Sequence, residues 1–181
     1  MKTLLIILIL LIIIILVILA WLGAFKKVHV YAARQGGEIL VYETIKGEYR
    51  QSAAAMDQIY YRLLHEDKIE TFKGFGIYYD DPKKVSKDQL RSEAGCILEP
   101  ADGIKSETLS EKYQVKVFPE GDYIVAEYPF RNKLSVFMSL AKVYPALDKY
   151  AKTHNYDPEG FVMEIYDIPN KKILYRKEIR N

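Results

Sequence analysis

The chain has 181 residues, with 26 Lys and Arg against 24 Asp and Glu, and a single cysteine. One thiol excludes an intramolecular disulfide. A net charge of +2 with both signs interspersed leaves no basic stripe, which argues against nucleic acid as a partner.

From Thr3 to Leu22 there is no charge and almost nothing but Leu and Ile. At about 1.5 Å per residue such a helix spans roughly 30 Å, the thickness of a bilayer core. A cleaved signal peptide would have an apolar region of about 7–15 residues and a small-x-small site. Ala20 and Ala24 offer only poor cleavage contexts, so residues 1–25 are expected to be an uncleaved transmembrane anchor. Lys26, Lys27 and Arg34 outweigh Lys2 and the α-amino group, which predicts a single-pass membrane protein with its C-terminal domain in the cytoplasm.

Residues 26–181 suffice for one compact domain and are too few for two ordinary ones. Val28 to Tyr31 alternates, meets the Gln35-Gly36-Gly37 turn signal, and Glu38 to Ile45 follows, predicting a hairpin. From Gln51 to Glu66, Met56, Ile59, Tyr60, Leu63 and Leu64 form the stripe of an amphipathic helix. Phe75–Tyr79 and Leu90–Leu98 read as strands, and Glu99 to Glu111 as a polar linker. Tyr113–Phe118 and Tyr123–Tyr128 read as partner strands around Pro119-Glu120-Gly121-Asp122. A second helix is predicted over Lys133–Thr153, with Phe137, Leu140, Ala141, Tyr144, Leu147 and Ala151 on one face and a kink or split at Pro145. Phe161–Asp167 and Lys172–Ile179 make the last hairpin.

The order is thus stated twice. Gly37 and Gly121, like Glu43 and Glu127, are 84 residues apart, and Pro82 and Pro169 are 87 apart. Two pseudo-symmetric strand-strand-helix-strand-strand units are expected, about 28–98 and 113–180. They imply an α+β fold with antiparallel sheet, both helices on one face, and a free face or cleft as a groove. Seams between such halves are common ligand sites.

Several side chains could supply chemistry there. Glu164 stands between Met163 and Ile165, where alternation alone would aim it at solvent. Buried instead, it would lose hydration, and its pKa would rise unless a cation or donors compensate. Glu43 and Glu127, the repeat-related pair, either face one another near the axis or are exposed strand-end charges. Tyr78, Tyr79, Tyr166, Phe75 and Phe130 are either aromatic walls able to hold a cation or core, and only one of Tyr78 and Tyr79 can face a groove. His29, His65 and His154 lack ligand spacing, so no metal is expected, and Cys96 reads as a small core residue. No nucleophile elbow, phosphate loop or dinucleotide fingerprint is present.

Gly76-Ile77-Tyr78-Tyr79-Asp80-Asp81-Pro82, Leu90 to Leu98, Phe118 to Tyr123 and Met163-Glu164-Ile165-Tyr166, in this order, resemble the GyrI-like small-molecule-binding domain, the effector-binding domain of bacterial transcription activators. The resemblance covers roughly Val28 to Arg180 and extends to a membrane-anchored branch with one N-terminal span. It implies paired strand-helix-strand-strand units and a groove for small aromatic or cationic molecules, with a central carboxylate at Glu164. No segment matches the activators' helix-turn-helix region or the partner-recruiting tail of the anchored branch, so neither role carries over. The expectation is a membrane-anchored domain that binds a hydrophobic, amphipathic or cationic ligand through Glu164, Tyr78, Tyr166, Phe75, Glu127 and Phe130, with no cofactor. Hydrolysis of a reactive electrophile, with Glu164 activating water, and a membrane-tethered module for a protein partner are the alternatives.

Overall fold

The computed structural model describes residues 2–180, with residues 104–106 described by their backbone alone. Helix α1 (Lys2–Trp21) is followed by β1 (Val30–Gln35), β2 (Ile39–Lys46), α2 (Gln51–His65), β3 (Lys73–Tyr78) and β4 (Arg91–Ile97). The expected polar linker instead holds a 3-10 turn (Pro100–Lys105) and the short α3 (Ser106–Ser110), whose Leu109 is buried. Then come β5 (Gln114–Val117), β6 (Gly121–Pro129), α4 (Lys133–Thr153), β7 (Val162–Asp167) and β8 (Lys172–Glu178). Helix α4 runs through Pro145 without being split.

The eight strands form one antiparallel sheet in the order β1-β6-β8-β7-β3-β4-β2-β5. Exchanging β1 with β5, β2 with β6, β3 with β7 and β4 with β8 reverses that order onto itself. The pseudo-two-fold axis therefore passes between β3 and β7. The helices carry the same symmetry: Ala55, Ile59 and Leu63 on α2 and Val143, Leu147 and Ala151 on α4 are their buried stripes, 88 residues apart.

The two hairpins expected at the start of each unit are exchanged between the halves. β1 pairs with β6, and β5 with β2. The cause is local: the link after β1 and the link after β5 run against each other. Gly37 N–H donates to the Phe118 carbonyl and Phe118 N–H to that of Glu38, both at 2.8 Å. Gly36 has φ of +119°, and a Cβ there would lie 2.1 Å from the Pro119 carbonyl oxygen, so only glycine fits.

Both faces of the sheet are used. Following the register from Val41 through Cys96, Gly74, Tyr166 and Ile173 to Tyr128 traces a single face. On it Val41 and Cys96 pack in the same cluster as Ile59 and Leu63 of α2, while Tyr128 and Ile173 pack with Val143 and Leu147 of α4. The opposite face is no open groove. Leu40 on β2 and Val125 on β6, far apart in strand order, share one buried cluster with Phe75, Phe118 and Met163, so the sheet curls and fills its own concave side. Arg176, 5% exposed, crosses that interior to Glu38 at 2.9 Å.

Candidate functional site

Helix α2 lies over β2, β3 and β4, and α4 lies over β6 and β1. The floor between them is the axial pair β3 and β7 with β8. Glu164 stands on that floor, on the helix-facing side with Tyr166, and is 2% exposed. The alternation that would have sent it to solvent does not apply, because a central strand of a covered sheet is buried on both faces.

Room for the carboxylate comes from the partner strand. Gly76 is directly opposite Glu164 in the ladder, and the 88-residue offset of the helices makes it the counterpart of Glu164 in the other half. One half thus supplies the carboxylate and the other the space. Tyr78 and Tyr166 correspond by the same offset. Tyr78 folds back over Gly76, its hydroxyl 2.6 Å from where a Cβ would stand.

The carboxylate accepts two hydrogen bonds, from the Tyr144 hydroxyl at 2.8 Å and from the Tyr166 hydroxyl at 2.6 Å. Tyr144 descends from α4, whose start is fixed by Asn132: its Oδ1 accepts from Ser135 N–H at 3.1 Å, and the Ser135 hydroxyl accepts from the Asn132 N–H. Polar contacts continue outward. Tyr78 reaches Tyr166 and Ser52 of α2, the Ser52 and Ser92 hydroxyls lie 3.4 Å apart, and Tyr175 meets Ser139 of α4 at 2.5 Å. Phe130 packs edge-on to Tyr166 at 5.8 Å between ring centroids, and Tyr49 packs likewise on Tyr78 at 4.8 Å. A buried polar chain therefore joins the two helices across the cleft.

Electrostatically the site is one-sided. Loss of water pushes the Glu164 carboxyl above the usual carboxylate range, and the two tyrosine hydrogen bonds only partly offset this. Burial, then the nearby Glu164 charge, raises Tyr78, Tyr166 and Tyr175, so these phenols stay protonated as donors. Among the described residues no Lys, Arg or His forms a salt bridge with Glu164 or appears among the groups that tune it. Nor do three or more His, Cys, Asp or Glu side chains converge as a metal site would require. The arrangement can bind a positive charge or donate hydrogen bonds from phenols.

Four of the six residues expected at the site, Glu164, Tyr166, Tyr78 and Phe130, come together. Phe75 and Glu127 do not. Phe75, three residues from Tyr78, points to the concave core and is fully buried there. Glu127 pairs across the ladder with Leu174 of that same face and forms an ion pair with Lys172 at 2.7 Å. Glu43 lies on the helix face, so the repeat-related carboxylates sit on opposite sides of the sheet. The even spacing of 84 ignored the one-residue shift that the register imposes. Tyr144, Ser52, Ser139 and Tyr175 were not singled out. Helix α4 buries Ser135, Ser139 and Val143 with Leu147 and Ala151, and turns the expected face of Phe137 and Ala141 outward, so Ser52 on the stripe of α2 is the one available signal.

Glu164 is closed off as the molecule stands. Surface depressions of about 530 and 490 Å³ lie elsewhere, one beside Lys83, Pro145 and Asp148, the other beside Tyr42, Arg62 and Tyr113. Of the two hydroxyls on the carboxylate, the one that comes from a helix is that of Tyr144. Pro145 follows it directly, and its missing N–H leaves the Ala141 carbonyl without the usual helical donor.

The chain is similar to human testis-expressed protein 264, with 34% identity over 86 residues covering 44% of this chain, and to its mouse homolog, with 30% identity over 86 residues. The match spans only 28% of the length of those curated relatives. Among solved structures, the EcmrR C-terminal domain superposes with a TM-score of 0.58 at 9% identity, covering 85% of this chain and 98% of that one. SAV2435 bound to tetraphenylphosphonium superposes with a TM-score of 0.52 at 13% identity, covering 84% and 94%. These structural likenesses speak for the fold. The model of the GyrI-like small molecule binding domain matches residues 39–179, which takes in both helices and seven of the eight strands of the symmetric sheet. With a sheet that maps onto itself about β3 and β7, the chain belongs to the GyrI-like small-molecule-binding domain family.

Proposed function

We propose that this chain binds a hydrophobic cation in the cleft between α2 and α4. Glu164 is the counter-charge, and Tyr78, Tyr144, Tyr166 and Phe130 form the walls. Helix α1, long and apolar enough to cross a bilayer, anchors the domain in a membrane with its folded part in the cytoplasm.

The observation that carries this reading is Glu164 itself, a fully buried carboxylate with two phenolic donors and no cationic partner among the described residues. Removing a charge from water is unfavourable unless an opposite charge compensates. A cation entering the cleft supplies that compensation, while a neutral ligand of the same shape does not. Aromatic faces add about 0.5–2 kcal/mol each to cation binding. The ligand of SAV2435 is a hydrophobic cation, which supports the choice of ligand class.

The test is thermal unfolding of the full chain in detergent with tetraphenylphosphonium, and with triphenylphosphine oxide as a neutral control. A ligand that binds only the folded state stabilises it by about 2.7 kcal/mol at a hundredfold excess over Kd. The phosphonium should raise the Tm of the wild type and do so much less for Glu164→Gln, while the oxide has little effect on either. Equal shifts for wild type and Glu164→Gln, or for cation and oxide, would sink the proposal.

A further inference from the structure

Helix α1 does not hang from the domain by a loose tether. Leu22, the residue after the helix, is 1% exposed, whereas α1 itself has no buried residue. The Tyr128 hydroxyl donates to the Gly23 carbonyl at 2.8 Å. Lys142 of α4 reaches the carbonyl of Ala24 at 2.6 Å and that of Lys26. The Arg131 guanidinium, just before α4, sits over the Trp21 ring at 5.1 Å from its centroid. The end of the apolar helix is therefore fastened to Tyr128 of β6, to Arg131 before α4 and to Lys142 of α4.

This fixes what faces the membrane. Trp is a residue of the membrane–water boundary, so Arg131 over Trp21 puts the start of α4 at that level. The outward side of α4 there is apolar: Leu134 is 52% exposed and Phe137 68%, with Ala141 and Pro145 continuing the stripe. Phe25, 66% exposed, lies on the docked link. The charges around these residues have one sign. Lys26, Lys27, Arg131 and Lys133 are exposed, and no acidic residue occurs from Tyr128 to Leu147. Cations at a helix N-terminus oppose the helix dipole, and the usual acidic first turn is missing from α4. Anionic lipid headgroups would satisfy both.

We infer that the N-terminal half of α4 is a membrane seat, with Leu134, Phe137 and Phe25 inserted at the headgroup–acyl boundary and Arg131, Lys133, Lys26 and Lys27 contacting lipid phosphates. An amphipathic face of this kind buries its apolar residues shallowly in that layer. The occupant is a bilayer because Arg131, which sits over Trp21 at the end of the span, stands at the start of α4 just ahead of Leu134. The inference rests on the reading of α1 as a membrane anchor. It also places the helix that carries Tyr144, a hydrogen-bond donor to Glu164, against the lipid.

Trp21 is the only tryptophan, which makes a depth measurement direct. The full chain is reconstituted into phosphatidylcholine–phosphatidylserine vesicles whose acyl chains carry bromine near the headgroup, and quenching of indole emission is read. The native chain reports on Trp21. Phe137→Trp and Tyr61→Trp, each combined with Trp21→Phe, report on α4 and on the exposed flank of α2. The expected result is strong quenching of Trp21, comparable quenching at position 137 with blue-shifted emission, and none at position 61. An unquenched Trp21 would overturn the anchor and the seat together. Quenching of Trp21 with a water-exposed indole at position 137 would overturn the seat alone, as would equal quenching at 137 and 61.

Discussion

Glu164 turns the site into a stability problem with a definite sign. Its pKa is raised in the folded state, chiefly by burial, so the folded protein binds this proton more tightly than the unfolded chain. Its contribution is most favourable in the ordinary carboxylate range. It is lost progressively as pH rises through the folded value. Asp80 behaves oppositely: hydrogen bonds from Arg91 hold it low, so the stability it contributes is lost only as pH falls through that depressed value. In the pH range above the ordinary carboxylate values, where Asp80 is ionised in both states, the Glu164 effect is the one expressed. The ligand-free protein should therefore melt higher on acidification across this range, and Glu164→Gln should flatten that rise. At neutral pH, Glu164→Gln should be more stable than the wild type by about 1 kcal/mol, or roughly 2–4 °C. Circular-dichroism melts at a series of pH values decide it. A wild-type profile without the rise, or a less stable glutamine variant, would show that the carboxylate is satisfied within the fold.

At the scale of elements, the exchanged links between the halves make one glycine indispensable and another optional. Gly36 combines a φ of +119° with an approach to Pro119 that leaves no space for a Cβ. At Gly121, at the matching turn, a Cβ would meet only the Tyr123 ring at 3.8 Å, an ordinary contact. Gly36→Ala should cost about 3 kcal/mol or more, combining backbone strain with displacement of the facing link. Gly121→Ala should change stability by less than about 1 kcal/mol. Urea unfolding of the two variants side by side gives the comparison, and similar midpoints would mean the links do not lock the halves. The same links show what was legible in the sequence. Apolar periodicity located every strand and both long helices, because 2.0 and 3.6 residue spacings are local properties. Strand pairing is not local: Gly36-Gly37 reads as a hairpin turn, and only the contact of Gly36 with Pro119, 83 residues onward, sends β1 to the other half. Phe75 and Tyr78 are a different case: their odd spacing along one strand puts them on opposite faces, which the sequence already states. Glu164 is legible through the family resemblance alone, since alternation aims it at solvent, and Tyr166 follows from it as the next residue on the same strand face. Tyr144 is not, since on α4 it is indistinguishable from the apolar stripe until its hydroxyl is seen to reach Glu164.

At the scale of the whole molecule, the fastening of α1 makes the residues between that helix and the sheet part of the domain. Leu22 is buried although the twenty residues before it are not, so its cover must come from the folded part. Tyr128 and Lys142 spend their polar groups on the carbonyls of Gly23, Ala24 and Lys26. A fragment beginning at Lys26 removes Leu22, Gly23 and Ala24, and leaves the buried Tyr128 hydroxyl without its acceptor. Burial of one Leu contributes about 1.5–3 kcal/mol, and a buried hydrogen bond about 1 kcal/mol. A fragment that begins at Leu22 keeps both. It should melt higher than the Lys26 fragment by about 5 °C or more, using roughly 2–4 °C per kcal/mol for a chain of this size. Differential scanning calorimetry of the two soluble fragments measures the difference directly. Equal melting temperatures would mean that the juxtamembrane segment is a tether, and that α4 is free to turn away from the bilayer. A clear loss in the shorter fragment would mean that anchor and domain move as one body, which is the condition for the cleft to hold a fixed attitude to the membrane.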